Sequence, residues 1–334
     1  MVRTLSTLSR RASVHWMDKL RIFTEKLLTR RLKRKLREKM RQQSRHPLVD
    51  WIFAILWAAC VVLVINQYIF QNYRIPSESM EKTLLVGDMI FVDKFSLGPE
   101  LLPGVGKLPG LAKPARGQII VFENPTYLSK GPLFTILQQM IYMLTLTMVD
   151  IDRDANGEAR VHYLIKRAVG YSGDRLKVER GEVFIRPEGA SDWYEEKKLM
   201  EELGLRRNAV RVVSGSEYPS IEAVGAISAY RESSINPPAR LGAPSISVAY
   251  KDALAFDKAR TQALRDIDPS NGRVAAVARR YDLGWYIPEG RIFPMGDNRD
   301  NSRDARYFGP VSVQRVLGKA KFIYWPFGRV GAIR

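Results

Sequence analysis

Two serines stand two residues apart in PSESM (76–80), nine residues beyond an apolar run that ends at Phe70. A serine hydroxyl is a weak nucleophile until a base takes its proton. Three histidines are present, His15, His46 and His162. The first two precede the apolar run and fall on the other side of any membrane it crosses, which leaves His162. Lys166 is a second candidate base. It lies among Leu164, Ile165, Ala168 and Val169. A lysine packed against such side chains loses solvation of its charged form, and its pKa falls from ~10.4. A neutral amine can then deprotonate a hydroxyl, as in the serine–lysine variant of the catalytic triad. On a strand, His162 and Lys166 would share a face. A further cluster, GDNRDNSRDAR (296–306), is dense in Asn, Asp and Gly, the residues of a loop whose side chains bond locally. No CxxC or HExxH pattern occurs, so no structural zinc site is expected. With one cysteine, Cys60, no intrachain disulfide is possible.

These residues need elements to bring them together. Residues 51–70, WIFAILWAACVVLVINQYIF, carry no charge. At about 1.5 Å per residue, twenty helical residues cross a hydrocarbon core of roughly 30 Å. The run is too long for the apolar core of a signal peptide, and 50 residues precede it, so it is expected to be an uncleaved anchor. Residues 1–48 hold fifteen Lys/Arg against three acids, or twelve of the eighteen net positive charges. The excess is a property of this arm, and a nucleic-acid-binding body is not required. The positive-inside bias keeps the arm cytoplasmic and places everything after residue 71 on the far side. The arm is compatible with a solvated topology signal and with a basic amphipathic helix on anionic lipid. An extended chain covers at most about 3.6 Å per residue, so Ser79 lies within roughly 30 Å of the membrane boundary.

Beyond the anchor, short β-rich runs dominate: 88–95, 117–124, 161–170, 174–186 and 315–325. Turn residues separate them, which predicts a mainly β, antiparallel fold with hairpins. Residues 99–115 form a Pro/Gly-rich loop with leucines. A second uncharged run, 132–149, is read either as an interfacial segment or as a buried helix of the body. Helical patterning at 193–203 and 251–268, in a region of different composition, marks 187–285 as an inserted α+β subdomain without a legible role. The expected order is a basic arm (1–48), an anchor (49–71), and a β-rich domain (72–186 and 286–334) that carries the insertion.

Four motifs now stand in order behind one anchor: PSESM…TLLVGD (76–88), RGQIIVF (116–122), YLIKRAVGYSGD (163–174) and GDNRDNSRDAR (296–306). In this the sequence resembles bacterial type I signal peptidase, a serine–lysine protease family, over residues 48–128, 161–186 and 286–331. The resemblance implies that Ser79 is the nucleophile and Lys166 its general base. It implies that Ser77 joins the Ser79 backbone N–H in an oxyanion hole, and that Ser302 orients the lysine amine. Arg167, Asp297, Asp304 and Arg306 match positions that hold the motif loops together, and His162 becomes a strand side chain. Lys82 and Ala305 depart from the family, which often has proline and serine there.

The function so implied is removal of signal peptides after Ala-x-Ala-like sequences. It implies preprotein substrates, a bilayer beneath the runs 99–113 and 132–149, transient contact with the secretion machinery, and no metal, cofactor or nucleic acid. The place would be the cytoplasmic membrane, single-pass, with the site on the outer face. The competing readings are a membrane-tethered serine–lysine protease that cuts itself or one regulator, and a non-catalytic membrane adaptor.

Overall fold

The computed structural model describes residues 24–26, 28–37, 40, 47–102, 105–145, 148–154, 157 and 160–333. Most of the expected basic arm, residues 1–23 and 41–46 included, lies outside them; 24–26 and 28–37 are helical (α1). Helix α2 (Pro47–Tyr68) covers the expected anchor (49–71) except its last residues, of which Phe70 and Gln71 are already extended strand, and, among the described residues, is the one helix long and apolar enough to cross a membrane.

The fold after α2 is mainly antiparallel β-sheet. Strand β1 (Phe70–Arg74) follows the helix directly and pairs with β2 (Met89–Asp93). The chain between them carries Ser79. A small hairpin, β3 (Glu100–Leu102) and β4 (Val105–Lys107), occupies the Pro/Gly-rich loop. Strand β5 (Ile119–Glu123) leads to helix α3 (Pro132–Leu144), and β6 (Tyr163–Tyr171) returns beside β5 with Lys166 opposite Ile120.

A second sheet is built from β7 (Arg175–Glu179), β8 (Glu182–Arg186), β9 (Tyr194–Glu195) and, later, β10 (Trp285–Tyr286). Between β9 and β10 run α4 (Glu196–Glu202), α5 (Tyr218–Glu232), α6 (Ala253–Ile267) and α7 (Gly272–Leu283). The chain then re-enters the first sheet through β11 (Arg291–Met295), the short helix α8 (Ala305–Phe308), β12 (Val311–Ser312), β13 (Val316–Trp325) and β14 (Gly331–Ala332). That sheet has the order β1-β2-β13-β5-β6-β11-β12, with β14 on β13.

Among the described residues, three of four buried apolar clusters involve the strands, the fourth lying at Val213, Tyr218 and Ile221. One joins Tyr73, Ile75, Met80, Leu84 and Ile90 to Leu317 and Ile323. Another packs Ile120 and Phe122 against Ala168, Ile292 and Val316. The third combines Val169, Leu176 and Phe293 with Leu199, Met200, Leu254 and Tyr281, so residues of 187–285 share a core with the strands on either side.

Helix α3 buries two glutamines beside Met143 and turns leucines outward. Gln138 and Gln139 are buried, while Leu133 and Leu137 are 83% and 54% exposed. Each buried amide makes a side-chain bond: Gln138 Nε2 donates to Asp150, and Gln139 accepts from the Tyr163 hydroxyl. At thirteen residues, or about 20 Å, α3 is too short to span a bilayer.

Candidate active site

Ser79 sits in a single 3₁₀ turn, Glu78–Met80. The turn is fixed by its neighbours. Met80 and Leu84 are pinned in the core, and Ile75 closes the loop through backbone bonds to Asp88 and Gly87. Lys82 has φ +70°, in the left-handed region. A proline, held near −65°, cannot take that angle, so this turn differs from one built on proline. Ala305 is fully buried in the third cluster, where a serine would place a hydroxyl among apolar groups.

The structure brings Ser79 and Lys166 together. The Lys166 Nζ lies 2.6 Å from Ser79 Oγ and 3.0 Å from the Ile165 carbonyl oxygen. Both residues are buried. Burial lowers the lysine pKa to about 8, against the pull of Asp304 and Asp297. Near that pH the amine can exchange a proton with the hydroxyl it touches. The Ser77 Oγ is 3.3 Å from Ser79 Oγ.

Ser302 is placed differently from its implied role. It is buried beside the site, but its hydroxyl makes no hydrogen bond among the described residues, with Lys166 or any other group. It packs against Gly296, and the amine is held by Ser79 and Ile165 instead. Gly296 itself was not singled out in the sequence. A Cβ there would collide with Ser302 Oγ and stand 2.6 Å from the Ser79 carbonyl oxygen, so glycine lets the 296–306 loop close onto the serine.

The four supporting charges form two buried units. Arg167 grips Asp297 with two bonds, of 2.8 and 2.6 Å, and also donates to the Gly117 carbonyl. Arg306 pairs with Asp304 at 2.9 Å, while Asp304 accepts from the Gly296 backbone N–H. Burial pushes the Asp304 carboxyl up, but Arg306 and the backbone N–H groups outweigh it and hold it below its ordinary range. Thr83, which donates to Asp297, and Asn298, whose backbone N–H donates to the Ser79 carbonyl, also went unnoticed. Nothing in their residue types marks them, because backbone bonding and one hydroxyl carry no sequence signature.

His162 is occupied elsewhere. Its Nε2 lies 2.8 Å from Asp152, which also meets Lys130 and the Tyr127 hydroxyl. Burial holds the imidazole below its ordinary range against Asp150 and Asp152. Rather than being a strand side chain, it stands one residue before β6, four positions from Lys166, or about 13 Å along an extended chain.

Ser79 and Lys166 both face a cleft of about 750 Å³, lined also by Tyr73, Tyr142, Met148 and Tyr163. A larger cavity, about 1150 Å³, lies between α5, α6 and the β7–β8 turn and shares no residue with it. One wall of the cleft is an open strand edge. Strand β11 pairs with β6 only from Arg167 onward, so β6 residues 163–166 pair on one side alone.

With this geometry in view, the comparisons are specific. The family model for signal peptidase, peptidase S26, matches residues 48–325, and the chain belongs to that family. The chain is 28% identical to signal peptidase I of Haemophilus influenzae over 282 residues, covering 80% of this chain and 69% of that protein. It is 29% identical to signal peptidase I of Aquifex aeolicus over 274 residues, covering 79% of each. For signal peptidase I of Pseudomonas fluorescens the identity is 27%, with 82% of this chain and 75% of that protein covered.

Proposed function

We propose that this protein is a membrane-anchored signal peptidase that removes N-terminal signal peptides from exported preproteins, with Ser79 as nucleophile and Lys166 as general base. The observation that carries the reading is a buried amine of pKa about 8 at 2.6 Å from a serine hydroxyl, in a chain of this family.

The chemistry follows from the contacts. Neutral Lys166 takes the Ser79 proton as Oγ attacks the scissile carbonyl. The charge that develops on the carbonyl oxygen is met by the Ser79 backbone N–H and by the Ser77 hydroxyl, already within 3.3 Å of the attacking oxygen. Lys166 returns the proton to the leaving amine. A water activated by the same lysine then hydrolyses the ester. Asn298 fixes the Ser79 carbonyl, and the Arg167–Asp297 pair fixes the strand beneath.

The substrate binds as an added strand on the open edge of β6. Backbone groups of Ala168 and His162 face β5, through bonds to Gly117, Gln118 and Asn124. Strand alternation therefore turns the groups of Tyr163 and Ile165 toward the cleft. Helix α2 anchors the protein with residues after 71 on the outer face. The exposed leucines of α3 rest on lipid, which brings the cleft to a cleavage site just beyond a substrate's own apolar run.

The test is incubation of wild type, Ser79→Ala and Lys166→Ala with several unrelated preproteins in detergent or lipid. Wild type trims each one, and both variants lose at least about 10³-fold in rate. Retained cleavage by Ser79→Ala refutes the mechanism. Processing of a single preprotein by wild type would favour a dedicated regulatory protease.

A further inference from the structure

The insertion 187–285 has no role in the chemistry above, yet it grips the loop that holds Ser79. Its segment 207–213 lies alongside residues 297–300. Val210 donates to the Asp297 carbonyl at 2.7 Å and accepts from the Arg299 N–H at 3.0 Å, a parallel bridge to Asn298. The Asn298 N–H in turn donates to the Ser79 carbonyl at 3.1 Å. One stretch of loop backbone is thus held by Val210 and holds Ser79.

Side chains lock the same contact. The Asp300 carboxylate accepts from the backbone N–H of Val212 and Val213 and from Arg211 at 3.1 Å. Arg211 is nearly buried and reaches back into the insertion. It bonds the Tyr218 hydroxyl at the start of α5, the Arg180 carbonyl in the β7–β8 turn and Asp252, which caps α6. Nearby, Asn208 donates to Thr83 Oγ1, the hydroxyl that meets Asp297. Glu196, at the start of α4, makes a bidentate buried pair with Arg299, both bonds at 2.6 Å.

We infer that Arg211 is a positioning residue for the nucleophile: through Asp300 it sets loop 297–300, and through Asn298 that loop sets the backbone of Ser79. The insertion is then a brace for the serine. This rests on the function proposed above. Arg211 and Asp300 do not line the cleft, so substrate affinity is outside their reach. A serine shifted by a fraction of an ångström attacks more slowly, and displacements near 1 Å cost on the order of 100-fold.

The experiment measures kcat and KM of the full-length protein in detergent on a peptide with an Ala-x-Ala site. Arg211→Ala lowers kcat about tenfold or more and leaves KM within about twofold. Arg211→Lys, which keeps the charge facing Asp300, recovers most of the loss. In an Asp300→Ala background Arg211→Ala adds no further loss, because the strut is already broken. The pH midpoint of kcat/KM stays in place, since Lys166 is untouched. A folded Arg211→Ala with wild-type kcat, a loss confined to KM, or additive losses in the double variant overturns the inference. Asp300→Asn is the second variant: it removes the charge that Arg211 grips at nearly constant size, and if it folds with unchanged kcat the inference fails whatever Arg211→Ala does. Ser79→Ala, run beside them, separates the two levels. Its retained activity sinks the proposed function, whereas its inactivity beside fully active Arg211 and Asp300 variants sinks the brace alone.

Discussion

Lys166 is charged in the unfolded chain at neutral pH, and the fold moves it to a site where burial lowers its pKa from 10.5 to about 8. Between those two values the unfolded chain binds more protons than the native one, so stability rises with pH across that window. Below pH 8 both forms hold the proton and the burial penalty applies in full, about 3 kcal/mol at 1.36 kcal/mol per unit. Lys166→Met removes the amine and keeps the volume. It is expected to unfold at higher denaturant than wild type at pH 7, to lose that advantage above pH 10.5, and to be inactive. A Lys166→Met chain less stable than wild type at pH 7 contradicts the burial argument. The same group predicts an acid limb in kcat/KM with a midpoint near 8, unmoved in His162→Asn, because His162 is committed to Asp152.

At the scale of elements, α3 gives the clearest prediction. Its buried glutamines fix which face looks out, and that face is leucine. Leu137→Glu leaves cleavage of a short peptide in detergent unchanged, because the residue is solvent-facing in the fold. It lowers processing of a preprotein embedded in vesicles, since a carboxylate resists lipid contact. Equal rates in both assays remove lipid from the account of α3. Which elements were legible in the sequence follows the same physics. Strands β2, β5, β7, β8 and β13 fall inside the β-rich runs 88–95, 117–124, 174–186 and 315–325, and β6 runs one residue past 161–170, because apolar β-formers between turns carry a local signal. Strand β1 was hidden by its junction with the apolar helix, and β11 by Pro294, which sits where its register with β6 shifts. Helix α5 lies within 214–247, a stretch containing Ser, Pro and Gly between the two segments of helical patterning. The structure uses some of them as helix punctuation, with a Ser214–Glu217 capping box before it and Gly225 where α6 comes close. For the site, the nearness of Ser79 to Lys166 was expected from the motifs. The Ser302 hydroxyl, the Gly296 approach and the Val210 bridge depend on loop geometry that residue types do not encode.

Across the whole molecule, apolar surface is spread well beyond α2. Leu111, Leu133 and Phe327 are each more than three-quarters exposed, and Leu101 is half exposed. A chain truncated before Phe70 is therefore predicted to self-associate in plain buffer and to return to monomers with micelles, as read by light scattering; a monodisperse truncated monomer without amphiphile contradicts this. The order of the main sheet has a consequence in time. Ser79 hangs between β1 and β2, Lys166 lies on β6, and β13 is the strand that pairs with both β2 and β5. Until residues 316–325 arrive, the sheet is two separate pieces with the hydroxyl on one and the amine on the other. A chain made from its N-terminus thus keeps the two groups apart until β13, the last strand but one, fills the gap between β2 and β5.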